Sequence, residues 1–196
     1  MVENILFIAN EAVEGGGARF CYFSGFLAEP QVQRNVFLDN EATLEGGGLA
    51  ICDADPVITF CTIDGNRAGT AGGGVYAYDC GETPILRNSI VANSTAGGGI
   101  AVHNATLATG FCDVWGNAGG DHIGCSPDAT DISEDPLYCD PGANNVTLRD
   151  DSPCLPENNV WREAMGACGA GGCGAGDRRL RGGLGVGVGQ HLRDAA

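Results

Sequence analysis

Four aspartates, Asp53, Asp55, Asp64 and Asp79, are the residues of this chain whose type suits chemistry best. Clustered carboxylates can hold a calcium ion, and a pair set across a cleft can cut a glycosidic bond. Proton abstraction from an acidic sugar would add an arginine or lysine as base. The spacing does not assemble such a site. Asp53, Asp55 and Asp79 fall where turns should follow strands, a place that favours aspartate. No aligned position presents two Asp or Glu in successive repeats with any insistence. Lysine is absent, all ten basic residues being arginine, and Arg34 and Arg87 share a column only across the intervening Phe60. His103 and His122 lack a Ser or Cys partner at a recognisable motif, and there is no Gly-x-Ser-x-Gly elbow. The residues point away from catalysis, and no catalytic, cofactor or metal site is assigned.

Ten cysteines in 196 residues indicate an oxidising compartment. Zinc spacing is missing: Cys168 and Cys173 are the close pair, with no second Cys or His cluster to complete a tetrahedron. A net charge of −15, from 25 acidic residues, argues against nucleic acid and anionic membranes as partners. No run of apolar residues is long enough for a membrane helix.

The elements that must position these residues are set by a repeat. Gly-Gly-Gly occurs at Gly15–Gly17, Gly46–Gly48, Gly72–Gly74 and Gly97–Gly99, at intervals of 31, 26 and 25 residues. An asparagine precedes each triplet (Asn10, Asn40, Asn66, Asn93), and Asn117 precedes the degenerate Gly119-Gly120. Aligned on that asparagine, one column reads Val2, Val32, Ile58, Ile85, Thr109. A second reads Ile5, Asn35, Cys61, Asn88, Cys112, and a third Phe7, Phe37, Ile63, Ile90, Val114. The last two alternate with period two, as in a strand, and the first is out of phase, so the chain turns a corner between them. After each triplet comes another alternating run, such as Leu49-x-Ile51. No segment shows a capped 3.6-residue pattern.

Parallel strands joined without helices, at a period near 25 residues, describe a parallel β-helix with coils ~4.8 Å apart. About five coils are expected. Phe7, Phe37, Ile63, Ile90 and Val114 should stack as one apolar row. Asn35, Cys61, Asn88 and Cys112 should form an internal ladder. Asn10, Asn40, Asn66, Asn93 and Asn117 should line a corner, in a left-handed or bridge conformation that asparagine tolerates. Cys21 and Cys52 each lie four residues after a triplet, so they should stack within disulfide reach. Cys61 and Cys112, two coils apart, should stay as free, buried thiols.

Phe7-Ile-Ala-Asn10 and Phe37-Leu-Asp-Asn40 match a Phe-x-x-Asn signature, and Gly98-Gly99-Ile100 approximates Gly-Gly-Ala-Ile. In these the chain resembles the right-handed parallel β-helix repeats of chlamydial polymorphic outer membrane proteins. The stretch from Cys112 to Pro141, with Asp151-Ser-Pro-Cys154-Leu-Pro-Glu-Asn158, looks like the terminal segment of large bacterial secreted β-helix proteins. The resemblance implies an all-β, right-handed, single-stranded solenoid over 1–125 and an irregular, disulfide-rich cap over 126–168. It also implies a Cys139–Cys154 pair, an irregular segment gaining most from such a staple. Cys80, Cys125, Cys168 and Cys173 have no assignment. A Gly/Arg-rich tail, 169–196, is expected to be disordered.

The function expected is a non-catalytic secreted or cell-surface module of structural, passenger or adhesion type, located outside the cell. Its expected partners are carbohydrate or other β-helix chains. The first repeat begins at the first residue, so further coils and an export signal are expected upstream in a larger protein. The alternative is a polysaccharide lyase or glycoside hydrolase, for which Tyr76 and Tyr78 would be the outward aromatic pair.

Overall fold

The computed structural model describes residues 1–21 and 29–173. Each turn is built from short strands separated by sharp corners. In the second turn these are Gln31–Gln33, Val36–Leu38, Glu41–Ala42 and Leu49–Cys52. Strands of successive turns pair in parallel and in register, giving three five-stranded sheets and one three-stranded sheet. The first sheet runs from Val2–Glu3 to Ala108–Gly110, the second from Leu6–Ile8 to Asp113–Trp115. The third ends at Arg67–Ala68, and the fourth runs from Ala18–Cys21 to His122–Ile123. Five stacked strands make about four full turns of a parallel β-helix, one fewer than the repeat count suggests.

The shape follows from which side chains fit inside. Val32, Ile58 and Leu86 of the first sheet meet Phe37, Ile63 and Val91 of the second and Leu49, Ile51, Val75, Ala77 and Ile100 of the fourth in one core. Phe7 stacks on Phe37 with ring centroids 4.6 Å apart. Where the wall passes closest to its neighbours, only glycine fits. A Cβ on Gly48 would lie 2.6 Å from the Gly74 carbonyl oxygen and 2.7 Å from Ile63.

The fourth turn departs from the expected alignment by one residue. Val91, not Ile90, pairs with both Ile63 and Val114, and Leu86, not Ile85, pairs with Ile58 and Thr109. The stacked apolar row is therefore Phe7, Phe37, Ile63, Val91 and Val114, and Ile90 faces outward. Arg87 leaves the column of Arg34 by the same shift. Arg34 instead sits in the left-handed region (φ 52°), its guanidinium 6.0 Å from the Phe60 ring on the next turn.

The C-terminal segment adds part of one more rung and then folds back. Ile132 bridges Asp113 in parallel, and its N–H donates to the Cys112 carbonyl. Beyond it, the chain crosses the outer face of the second sheet. Tyr138, Val146, Leu148, Leu155 and Met165 pack there against Val36, Leu38, Ile90 and Ala92, forming a second core outside the solenoid. A hairpin of Tyr138–Asp140 and Asn145–Leu148 organises this layer.

Two disulfides are present among the described residues. Cys21–Cys52 joins adjacent turns, with Cα atoms 4.7 Å apart. The second is Cys139–Cys173 rather than Cys139–Cys154; Cys154 is a buried free thiol. The Cys139–Cys173 bond corrects the tail as well. Gly169 to Cys173 belong to the layer, the Leu148 N–H donating to the Gly169 carbonyl and the Gly171 N–H to that of Leu148. The expectation of disorder for 174–196 lies outside the described residues.

Candidate functional site

The residues singled out for chemistry are dispersed around the solenoid. Asp53 and Asp79 occupy equivalent left-handed corners after the fourth sheet (φ 46° and 49°), and Asp79 accepts a hydrogen bond from the Asn104 amide of the next turn at 2.8 Å. Asp55 follows in the loop to the next strand. His103 points outward, whereas His122 pairs with Ile100 at the end of an inward row, its Nε2 buried without a partner. The two histidines thus lie on opposite sides of one sheet.

The asparagines form hydrogen-bonded rows. Asn40 Oδ1 accepts from the Asn10 N–H and amide at 3.0 and 2.8 Å, and Asn66 Oδ1 accepts both equivalent donors of Asn40 at 2.9 Å. Asn66 in turn donates to the carbonyls of Phe37 and Asp64. In the fourth turn Ser94, not Asn93, holds the row. Its N–H donates to Asn117 Oδ1, while its hydroxyl is buried without a partner. The left-handed residue at this corner is the one before the row: Ala9, Asp39, Gly65, Asn93 and Gly116.

The second ladder behaves alike. It reads Asn35, Cys61, Ser89 and Cys112, and Asn88 is displaced from it. Asn88 takes the left-handed position (φ 49°) and donates outward to Glu163 and Ala164 of the C-terminal layer. The Ser89 hydroxyl accepts the Cys61 N–H. Both rows end on carboxylates that the sequence reading passed over. Asp121 Oδ1 accepts the Asn117 N–H and amide, and Asp131 Oδ1 accepts the Cys112 N–H. The signals available were an acid four residues after Asn117 and another 19 residues after Cys112, next to the strand residue that starts the following rung.

Burial pushes the Cys61 thiol up to about 11 and that of Cys112 up to about 12. Such thiols pack as apolar groups and supply no nucleophile.

Two places hold polar groups without such framework duties. The first is the outer face of the fourth sheet. Tyr78 reaches back across the second turn, where the outward residues are the small Ala50 and Cys52, to the first. Its hydroxyl donates to Glu14 Oε2 at 2.8 Å and accepts from Arg19 Nη2 at 2.9 Å, and Arg19 pairs with Glu14 at 3.0 Å. Tyr76 stacks beside Tyr78 with centroids 5.2 Å apart. The result is an aromatic shelf whose ion pair is neutral overall. Burial raises both phenols above their ordinary value, helped by the Glu45 charge at Tyr76 and by the hydrogen bond to Glu14 at Tyr78, where Arg19 opposes it.

The second lies beneath the C-terminal layer. Asp64 and Asp113 both point outward from the second sheet and are covered by that layer. Burial pushes the Asp64 carboxyl up to about 6, opposed by the Asn93 amide at 2.7 Å and reinforced by Asp39. Burial pushes Asp113 up to about 7, although the Glu134 N–H and the Cys154 thiol donate to it at 3.1 Å each. Tyr138 is 8% exposed, and its buried hydroxyl lies toward both carboxylates and reaches no hydrogen-bond partner.

No protein-family model matches the chain, nor does any curated protein or solved structure.

Proposed function

We propose that this β-solenoid is a non-catalytic module of a secreted or cell-surface protein, of the adhesion or passenger type, and that the outer face of its fourth sheet is the surface it presents. The likeness of its repeats to those of chlamydial polymorphic outer membrane proteins and the ten cysteines support the extracellular placement. The observation that carries the reading is the Tyr76–Tyr78 shelf. Tyr78 is pinned by Glu14 and Arg19 from two turns away, with Tyr76 stacked beside it, so the Tyr78 ring has little rotamer entropy left to lose on contact. Aromatic faces of this kind stack on the C–H faces of sugar rings and on other aromatic side chains. The net charge of −15 favours neutral ligands over acidic polymers.

The test is binding of the purified chain to neutral and acidic polysaccharides, with Tyr76→Ala and Tyr78→Ala alongside. Retention of a neutral polymer by the parent chain and its loss in both variants is the expected result. Equal retention by all three removes the shelf from the reading. The same incubations, with and without calcium, are assayed for new reducing ends and unsaturated products. Sustained product formation would replace the non-catalytic reading with the lyase or hydrolase one.

A further inference from the structure

We propose that the C-terminal layer is a pH-operated cover, seated on the second sheet in acid and loosened as the pH rises toward neutrality, with Asp64 and Asp113 as the groups that operate it. Four features of the geometry carry this. Both carboxylates sit on the outward side of their strands, so lifting the layer hydrates them without breaking any rung of the solenoid. Neither makes an ion pair among the described residues. The groups facing Asp64 are Asp39, the Asn93 amide and Tyr138; those facing Asp113 are Glu134, Asp121 and the thiols of Cys112 and Cys154. Every one of these is neutral or acidic, so an ionised carboxylate under the layer finds amides and a thiol but no compensating cation.

The third feature is the attachment. The Cys139–Cys173 bond closes a loop within the layer and does not tie it to the solenoid. The direct hydrogen bonds across the seam are few: Gly166 N–H to the Asn88 carbonyl, Ala167 N–H to Thr62 Oγ1, the Asn88 amide to Glu163 and Ala164, and the Glu134 N–H and the Cys154 thiol to Asp113. Fourth, the buried Tyr138 hydroxyl faces Asp64, whose ionised form it favours, but reaches no partner at full hydrogen-bond geometry, which leaves that part of the seam short of hydrogen bonds in the seated state.

The sign follows from linkage. A carboxylic acid held above its ordinary value in the seated state binds its proton more tightly there than in the lifted state. Seating is then strongest below the ordinary carboxylate value of 3.8 and weakens as the pH climbs to about 6 for Asp64 and about 7 for Asp113. Above that the penalty is complete and the curve is flat. Each group weakens seating by about tenfold per pH unit across its own window, its proton leaving to solvent as the layer lifts.

Amide hydrogen exchange of the intact chain, corrected for the intrinsic pH dependence of exchange, reads the seating directly. Protection of Met165, Gly166 and Ala167 should fall at least about tenfold between pH 5 and pH 7, while amides of the solenoid interior such as Ile51 and Ile63 stay level. In Asp64→Asn/Asp113→Asn the layer amides should lose this slope, and in either single variant they should keep part of it. Level protection of the layer in the parent chain would overturn the proposal. So would an unchanged slope in the double variant or, if that variant does not fold, in both singles.

Discussion

Replacing Asn66 by alanine tests the corner row where it is most enclosed. Asn66 is fully buried and takes part in four hydrogen bonds: it donates at 2.9 Å to Phe37 O and at 3.1 Å to Asp64 O, and accepts two from Asn40 at 2.9 Å. At about 1 kcal/mol net for each bond, the direct loss is about 4 kcal/mol. The two Asn40 donors left facing a cavity set the upper end nearer 6 kcal/mol, a large part of a domain's total stability. Asn10→Ala is the matched control. Asn10 is exposed and gives up one side-chain bond, its amide to Asn40 Oδ1, while its backbone N–H keeps the other, so its loss should stay under about 1 kcal/mol. Denaturant unfolding at constant m measures both. A loss below about 1 kcal/mol for Asn66→Ala, or equal losses for the two variants, would refute the row as a source of stability.

Four further outcomes follow from the same geometry. Ser94→Asn should restore the amide missing from the fourth turn and stabilise the chain by about 1–2 kcal/mol, read as a higher denaturation midpoint. Tyr138→Phe removes a buried hydroxyl that has no partner, so it should be neutral or stabilising by about 1 kcal/mol; a clear loss would show a bond that the geometry lacks. Reduction of Cys21–Cys52, which spans 31 residues, should cost about 3–4 kcal/mol on the chain-entropy scale, seen as a lower midpoint in Cys21→Ser/Cys52→Ser. Cys61 and Cys112, raised to about 11 and about 12 by burial, should resist alkylation at pH 8 in the native chain and react on unfolding, as peptide mass mapping would show.

The solenoid was legible because three independent periodicities agree. Glycine triplets mark the wall, period-two apolar pairs mark the strands, and a one-coil separation places Cys21 against Cys52. The error in the fourth turn has a specific origin. Asparagine serves two neighbouring positions here, as the amide of a ladder and as the residue that tolerates positive φ just before it. Where the chain reads Arg34-Asn35, Asp39-Asn40 or Gly65-Asn66, the first residue takes the left-handed corner and asparagine the ladder. Where it reads Asn88-Ser89 or Asn93-Ser94, asparagine is the better left-handed residue and serine takes the ladder, the Ser89 hydroxyl accepting one bond and the Ser94 hydroxyl none. Alignment on asparagine therefore slips by one wherever an Asn-Ser pair fills the corner.

The C-terminal layer left a trace in the sequence of a different kind. An antiparallel or solvent-facing strand alternates, as Val75-Tyr-Ala-Tyr78 does, but Val36-Phe-Leu38 and Ile90-Val-Ala92 are apolar without interruption. That pattern belongs to strands buried on both faces. Read so, the second sheet required a cover, and an irregular C-terminal segment long enough to supply one follows the last repeat. Its path along the side of the solenoid, rather than over the end, follows from those outward apolar residues. Asp64 and Asp113, with Thr62, interrupt the same outward strip, and once ionised the two carboxylates seat the layer less firmly than a valine or leucine would. Two carboxylates in a seam that offers them no cation among the described residues weaken seating at neutral pH and not in strong acid, so their presence biases the cover toward release as protons are lost.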